Sequence, residues 1–107
     1  MSNLKSNLTF GDAVIALKQG KRVQRSGWNG AGLFAFMQVP ANIPISVIPT
    51  MQSLPQAVKD EFVRRADKPD FDIRYRNQLA LVYPDSTIYG WSPSGSDALA
   101  VDWIIMD

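Results

Sequence analysis

Residues 25 to 32, Arg-Ser-Gly-Trp-Asn-Gly-Ala-Gly, gather a guanidinium, an indole and a carboxamide among three glycines. Glycine lets a backbone take positive φ and come close to a ligand. The indole of Trp28 offers a flat face to a nucleobase, and Arg25 and Asn29 offer donors to phosphate, ribose or base edges. These residue types suit holding a nucleotide-like molecule, not cleaving it. They form no P-loop, since the lysine and following Ser or Thr are missing. Asn29-Gly30 is also a strong hairpin-turn signal, in which case Trp28 packs on the core. The two readings are compatible, because a hairpin tip can wall a pocket.

Other candidates lie further along the chain. Arg25 sits on a short strand-like run, where an ion-paired arginine is the plainer reading and a bidentate grip on phosphate the functional one. Arg74 and Arg76 flank Tyr75, an interleaving of basic and aromatic residues that suits nucleotide contact. With only two arginines, a solvated surface strand is the plainer explanation. Phe34, Phe36, Tyr89, Trp91 and Trp103 are core residues by default. Phe34 with Phe36, and Tyr89 with Trp91, alternate so that each pair shares one strand face, and a base would stack on a pair left open. Asp97 either caps a turn opened by Ser94 or accepts from ribose hydroxyls or an adenine amine, while Asp102 reads as anchoring a strand end. Neither carboxylate has a nucleophile and partnering base beside it in the sequence.

The composition narrows the function classes. The 107 residues contain no cysteine and no histidine. Disulfides, thiolate metal sites and cysteine nucleophiles are therefore excluded, together with the commonest metal ligand and the side chain that titrates near neutrality. No cofactor is called for. A formal net charge of +1 gives no pull toward polymeric nucleic acid or an anionic membrane, so any basic site is local. No apolar run reaches the roughly 18 residues of a membrane span, and the polar first seven residues lack the apolar stretch of a signal peptide. The expected location is cytoplasmic. One domain and one core suit this length, and self-association is a natural way to bury more surface.

Elements follow from these patterns. Residues 1–7 read as a flexible lead-in. Thr9 to Asp12 fits a capping box, and Phe10, Ala13, Val14 and Leu17 follow at helical spacing, with Gly20 at the C′ position. The spacing predicts a helix over 10–19. Arg22–Arg25 and Leu33–Val39 read as strands joined by the glycine-rich turn, with apolar residues on both faces of the second. Four prolines between Pro40 and Pro55 predict loop or edge structure. A second capping-box match at Ser53–Gln56 opens a predicted helix over 54–66, with Asp60–Arg64 and Glu61–Arg65 spaced to pair. Strand-like runs follow at Phe71–Tyr75, Leu79–Tyr83, Thr87–Trp91 and Val101–Met106, with a short helical stretch opening at Ser94. The fold class is α+β: one domain over 1–107, an antiparallel sheet with an N-terminal helix and a second helix in a central insertion over 40–70.

Phe10-Gly11-Asp12-Ala13 with Leu17-Lys18-Gln19-Gly20, the run from Val23 to Gly30, and Trp91-Ser92-Pro93-Ser94 with Asp97 to Trp103 together resemble one family. It is the phage and prophage family of the second type of Thoeris anti-defence protein. The likeness covers residues 8–39 and 79–105, and 40–70 is an expansion relative to shorter members. The resemblance implies a non-enzymatic sponge that sequesters glycocyclic ADP-ribose, the signal made by bacterial TIR enzymes, so inhibiting anti-phage defence. It further implies binding of CBASS cyclic dinucleotides at a separate site, as some members do. It also implies a homotetramer with ligand sites between subunits, working in the cytoplasm of the infected host. On that reading the ligand-binding residues are Arg25, Trp28, Asn29, Gly30, Phe34, Phe36, Arg74, Tyr89, Trp91, Ser94 and Asp97. A protein-interaction or virion accessory module is the alternative. A signal-degrading phosphodiesterase is the weaker one, because such hydrolysis usually relies on a metal cluster or a histidine acid–base pair.

Overall fold

The computed structural model describes residues 5–28 and 32–106. In chain order they form β1 (Lys5–Leu8), α1 (Phe10–Lys18), β2 (Arg22–Arg25), β3 (Phe34–Gln38), β4 (Ala41–Pro44), a 3₁₀ turn (Ile48–Thr50) and α2 (Gln56–Arg65). There follow β5 (Asp72–Tyr75), β6 (Gln78–Val82), β7 (Ile88–Gly90), α3 (Gly95–Leu99) and β8 (Trp103–Met106). The class is α+β, as the sequence patterns imply. The chain divides into two compact units, Met1–Gln38 with Gln78–Asp107, and Val39–Asn77.

The first unit is a six-stranded antiparallel sheet in the order β1-β8-β2-β3-β6-β7. Helix α1 forms where its caps dictate. Thr9 Oγ1 accepts from the Asp12 N–H at 3.2 Å and Asp12 Oδ2 accepts from the Thr9 N–H at 3.1 Å. At the other end Gly20 takes φ +84°, and the N–H groups of Gly20 and Lys21 satisfy the carbonyls of Leu17 and Ala16, each at 3.0 Å. Ala13, Ala16 and Leu17 of α1 then bury against Val23, Ala35 and Trp103 of the sheet. Each large apolar side chain so buried contributes about 1.5–3 kcal/mol.

Register decides which residues share that helix-covered face. Trp103 stands opposite Arg25, Ile105 opposite Val23, Val23 opposite Ala35, and Ala35 opposite Leu81, which in turn faces Tyr89. Phe34, Phe36, Val82 and Ile104 point the other way. Part of the expected lead-in is strand: Lys5–Leu8 pairs with β8 around a register shift, where Asn7 takes φ 58°. Its polar sequence hides it because an exposed edge strand has no need of an apolar face.

The second unit pairs β4 with β5 in a two-stranded antiparallel ribbon, with Ile48 and Ile73 buried. The proline-rich stretch is thus an edge strand and a 3₁₀ turn. Helix α2 starts later than its apparent capping box: Pro55 is the N-cap, without a side-chain hydrogen bond. Glu61 bonds both Arg64 at 2.7 Å and Arg65 at 3.0 Å, whereas Asp60 accepts from Gln56 at 2.9 Å instead of pairing with Arg64. No residue of α2 is fully buried.

Candidate functional site

Three tryptophans from three separate segments meet at one end of the helix-covered face. The Trp28 N–H bonds the Arg25 carbonyl at 3.1 Å, closing the turn that leaves β2. Its ring stands edge-on to Trp103 (centroids 5.5 Å apart, 81°) and to Trp91 (5.9 Å, 89°), while Trp91 and Trp103 lie 6.1 Å apart. Phe10 of α1 closes on Trp103 at 5.4 Å. Such pairs each add about 0.5–1.5 kcal/mol beyond the area they bury. Trp103 is wholly buried and its Nε1–H donates to the Asp97 carbonyl at 3.0 Å. Trp28 and Trp91 are half-buried, packed against the core.

Beside this cluster Arg25 clasps two carboxylates. Its Nε–H donates to Asp102 Oδ1 and its Nη1–H to Asp97 Oδ1, both at 3.0 Å. Ser26 Oγ donates to Asp102 Oδ2 at 3.1 Å, and the Ser26 N–H bonds the Asp102 carbonyl at 3.1 Å. Asp97 also completes the capping box of α3, accepting from the Ser94 N–H at 2.9 Å while Ser94 Oγ accepts from the Asp97 N–H at 3.1 Å. Hydrogen bonding to Asp102, then Asp97, raises the Arg25 guanidinium further above its usual value. Hydrogen bonds from Arg25 and Ser26 hold the Asp102 carboxyl below the ordinary carboxylate range. Burial opposes ionisation of Asp97, but the bonds from Ser94 and Arg25 outweigh it and its carboxyl also lies low. Both are therefore anions at neutral pH.

The structure thus brings Arg25, Trp28, Trp91, Ser94 and Asp97 into one neighbourhood. Arg25 is ion-paired and Asp97 caps the turn opened by Ser94, the plainer readings of both residues in the sequence. Two of the Arg25 donors meant for phosphate are held by carboxylates, and the Asp97 acceptors meant for ribose or adenine are taken by Arg25 and Ser94. These charges brace the aromatic cluster. Asn29 and Gly30 lie outside the described residues. Phe34 and Phe36 pair at 6.5 Å on the opposite sheet face, where the Arg22 guanidinium sits 5.1 Å above the Phe34 ring. Tyr89 shares the face of Trp91 but lies toward the β6–β7 turn, edge-on to Tyr83 at 5.2 Å. There Tyr83, Pro84, Asp85, Thr87 and Tyr89 line a cleft of about 540 Å³. Arg74 belongs to the second unit, where its nearest carboxylate, Asp72, is 3.9 Å away.

Sequence reasoning missed Ser26 as a partner of Asp102, and Tyr83 as the partner of Tyr89. The Ser26–Asp102 bond spans 76 positions, so no local spacing could reveal it. Tyr83 lies on the same face two residues beyond Leu81, which stands opposite Tyr89, and that diagonal contact was readable from hairpin register. The assembled site offers two half-buried indoles packed against the core. The exposed part of such a ring is a surface on which an aromatic ligand can stack.

A family model described as the Tad2-like, Thoeris anti-defense 2-like domain matches residues 8–106. The chain is also similar to a protein of Bacillus phage SP01 named Thoeris anti-defense 2. The two are 32% identical over 103 residues, covering 96% of this chain and 99% of that protein.

Proposed function

Because the chain belongs to the Thoeris anti-defense 2-like family, we propose that it is a non-catalytic sponge for a cyclic nucleotide immune signal. Family membership supplies the anti-defence role itself. The signal class, a glycocyclic ADP-ribose made by TIR enzymes and a CBASS cyclic dinucleotide besides, is the finer part of the reading. The observation that carries it is the pair of half-buried indoles, Trp28 and Trp91, braced by the buried Trp103 and by the Arg25 clasp. Stacking of a base on an aromatic face is worth about 1–3 kcal/mol and needs no bond-breaking group.

Sequestration demands a Kd below the working concentration of the signal, since each site removes one molecule. A preorganised site meets that demand by lowering the ordering cost of binding. In this reading Arg25, Ser94 and Asp97 are positioning residues, and Trp28 and Trp91 touch the ligand. Several copies would assemble as a homotetramer in the cytoplasm of the infected host, completing sites between subunits. The exposed β7 edge supports self-association, with Ile88 and Tyr89 each more than half exposed (56% and 57%).

Isothermal titration calorimetry of the purified protein with glycocyclic ADP-ribose tests the reading. Saturable binding at a fixed ratio of signal to subunit is expected, with quenching of tryptophan fluorescence. Absence of binding to this signal and to cyclic dinucleotides would leave a protein-interaction module as the better account.

A further inference from the structure

The second unit holds a cleft of about 560 Å³ between α2 and β5. Val58 and Phe62, four residues apart on one face of α2, wall it on one side together with Leu54 just before the helix. On the other side the lining runs unbroken from Phe71 to Arg76. Successive side chains of a strand point to opposite faces. A cleft lined by six consecutive residues (Phe71 to Arg76) therefore follows the edge of β5 and not one of its faces.

That edge is the unpaired one, since β4 is the only strand beside β5 among the described residues. The Phe71 carbonyl accepts from the Ile45 N–H at 3.0 Å. By antiparallel alternation Ile73 and Tyr75 then turn their backbone groups to β4, while Asp72 and Arg74 turn theirs into the cleft. Pro44 stands opposite Asp72, where the lack of an N–H is harmless. Three arginines, Arg65, Arg74 and Arg76, line the cleft against one carboxylate, Asp72. Arg65 is bonded to Glu61 and Arg74 is 3.9 Å from Asp72, but Arg76 makes no ion pair among the described residues. Val58 and Tyr75 remain more than a third exposed (37% and 38%), so the groove is not filled by the protein's own side chains.

We propose that this groove takes an extended acidic segment of a partner protein, added as a strand to β5. Its backbone bonds the free groups of Asp72 and Arg74, its apolar side chains lie on Val58 and Phe62, and its carboxylates meet Arg74 and Arg76. A small ligand needs a cavity that encloses most of its surface; a groove open along a strand edge suits a chain. The inference rests on the second unit alone and is independent of the sponge reading.

The probe is an end-capped decapeptide of alternating Glu and Val, titrated into the isotope-labelled full-length protein and followed by amide NMR. The amides of Asp72 and Arg74 are expected to shift, with affinity falling as salt is raised. N-methylating every Val or every Glu should abolish binding for one set and spare the other, since alternate peptide N–H groups face β5. Arg74→Glu combined with Arg76→Glu should weaken binding at least tenfold while the remaining amide spectrum is retained. A Val58→Glu variant should weaken it independently. The proposal is overturned if neither methylated set loses binding, if the charge-reversed protein binds equally well, or if the two amides do not shift. It is equally overturned if adenosine diphosphate moves those amides and the peptide does not.

Discussion

Arg25 makes charged hydrogen bonds to carboxylates 72 and 77 residues away, and those bonds are expected to contribute to how the protein responds to acid. Asp97 and Asp102 titrate below the ordinary carboxylate range when folded. Their stabilisation is complete above the unfolded value, near pH 4, and is lost as pH falls through the lowered folded values. Thermal melts should therefore show a Tm that holds near neutrality and declines below about pH 4. Arg25→Ala should lower Tm at pH 7 and make the acid decline shallower. The decline should persist in part, because Glu61, held low by Arg64 and Arg65, and Asp85, held low by Thr87, do not depend on Arg25. An unchanged acid limb in that variant would show the clasp to be idle. Trp28→Ala should weaken signal binding by about 1–3 kcal/mol in calorimetry, that is by roughly five- to 150-fold. The equivalent change at Trp103 should instead cost about 3–5 kcal/mol of stability in chemical denaturation. Trp28 was legible because an indole among glycines is an uncommon local combination. The partners of Arg25 were not, because only the folded sheet brings Asp97 and Asp102 beside it.

Among the elements, α1 was readable nearly to the residue, because both of its ends carry local chemistry: Thr9 with Asp12 at the start and Gly20 after the end. The same chemistry recurs at α3, where Ser94 and Asp97 form a second capping box. Here the cap has a second consequence, since Asp97 is also held by Arg25. Ser94→Ala should cost about 1 kcal/mol in denaturant unfolding. If the clasp braces the indoles, the same variant should also weaken signal binding, whereas Thr9→Ala should lower stability without that loss. Equal binding by the two variants would separate α3 from the site. Strand β1 escaped sequence reasoning, and β4 was read only as loop or edge structure, for a shared reason: edge positions relax the apolar alternation that betrays a strand. The start of α2 was misread because Ser53 to Gln56 mimics a cap, while Pro55, with φ −61°, is itself the N-cap.

For the whole molecule, the two proposed surfaces fall on different compact units. The unit with the sheet carries the tryptophan cluster, and Val39–Asn77 carries the groove along β5. Self-association through the β7 edge predicts that Ile88→Lys shifts sedimentation from a tetramer toward smaller species while leaving the fold intact. An unaltered sedimentation coefficient would move the interface elsewhere. The class of the fold was legible from length and alternating patterns; the long-range pairings that assemble the site were not. Retention of an unaltered signal is the central claim, and mass spectrometry tests it most directly. The purified protein is incubated with glycocyclic ADP-ribose, washed, heated, and the released small molecules are weighed. Release of the input mass, in amounts matching the sites, is the predicted result. A linear product heavier by one water, formed only in the presence of the folded protein, would contradict it.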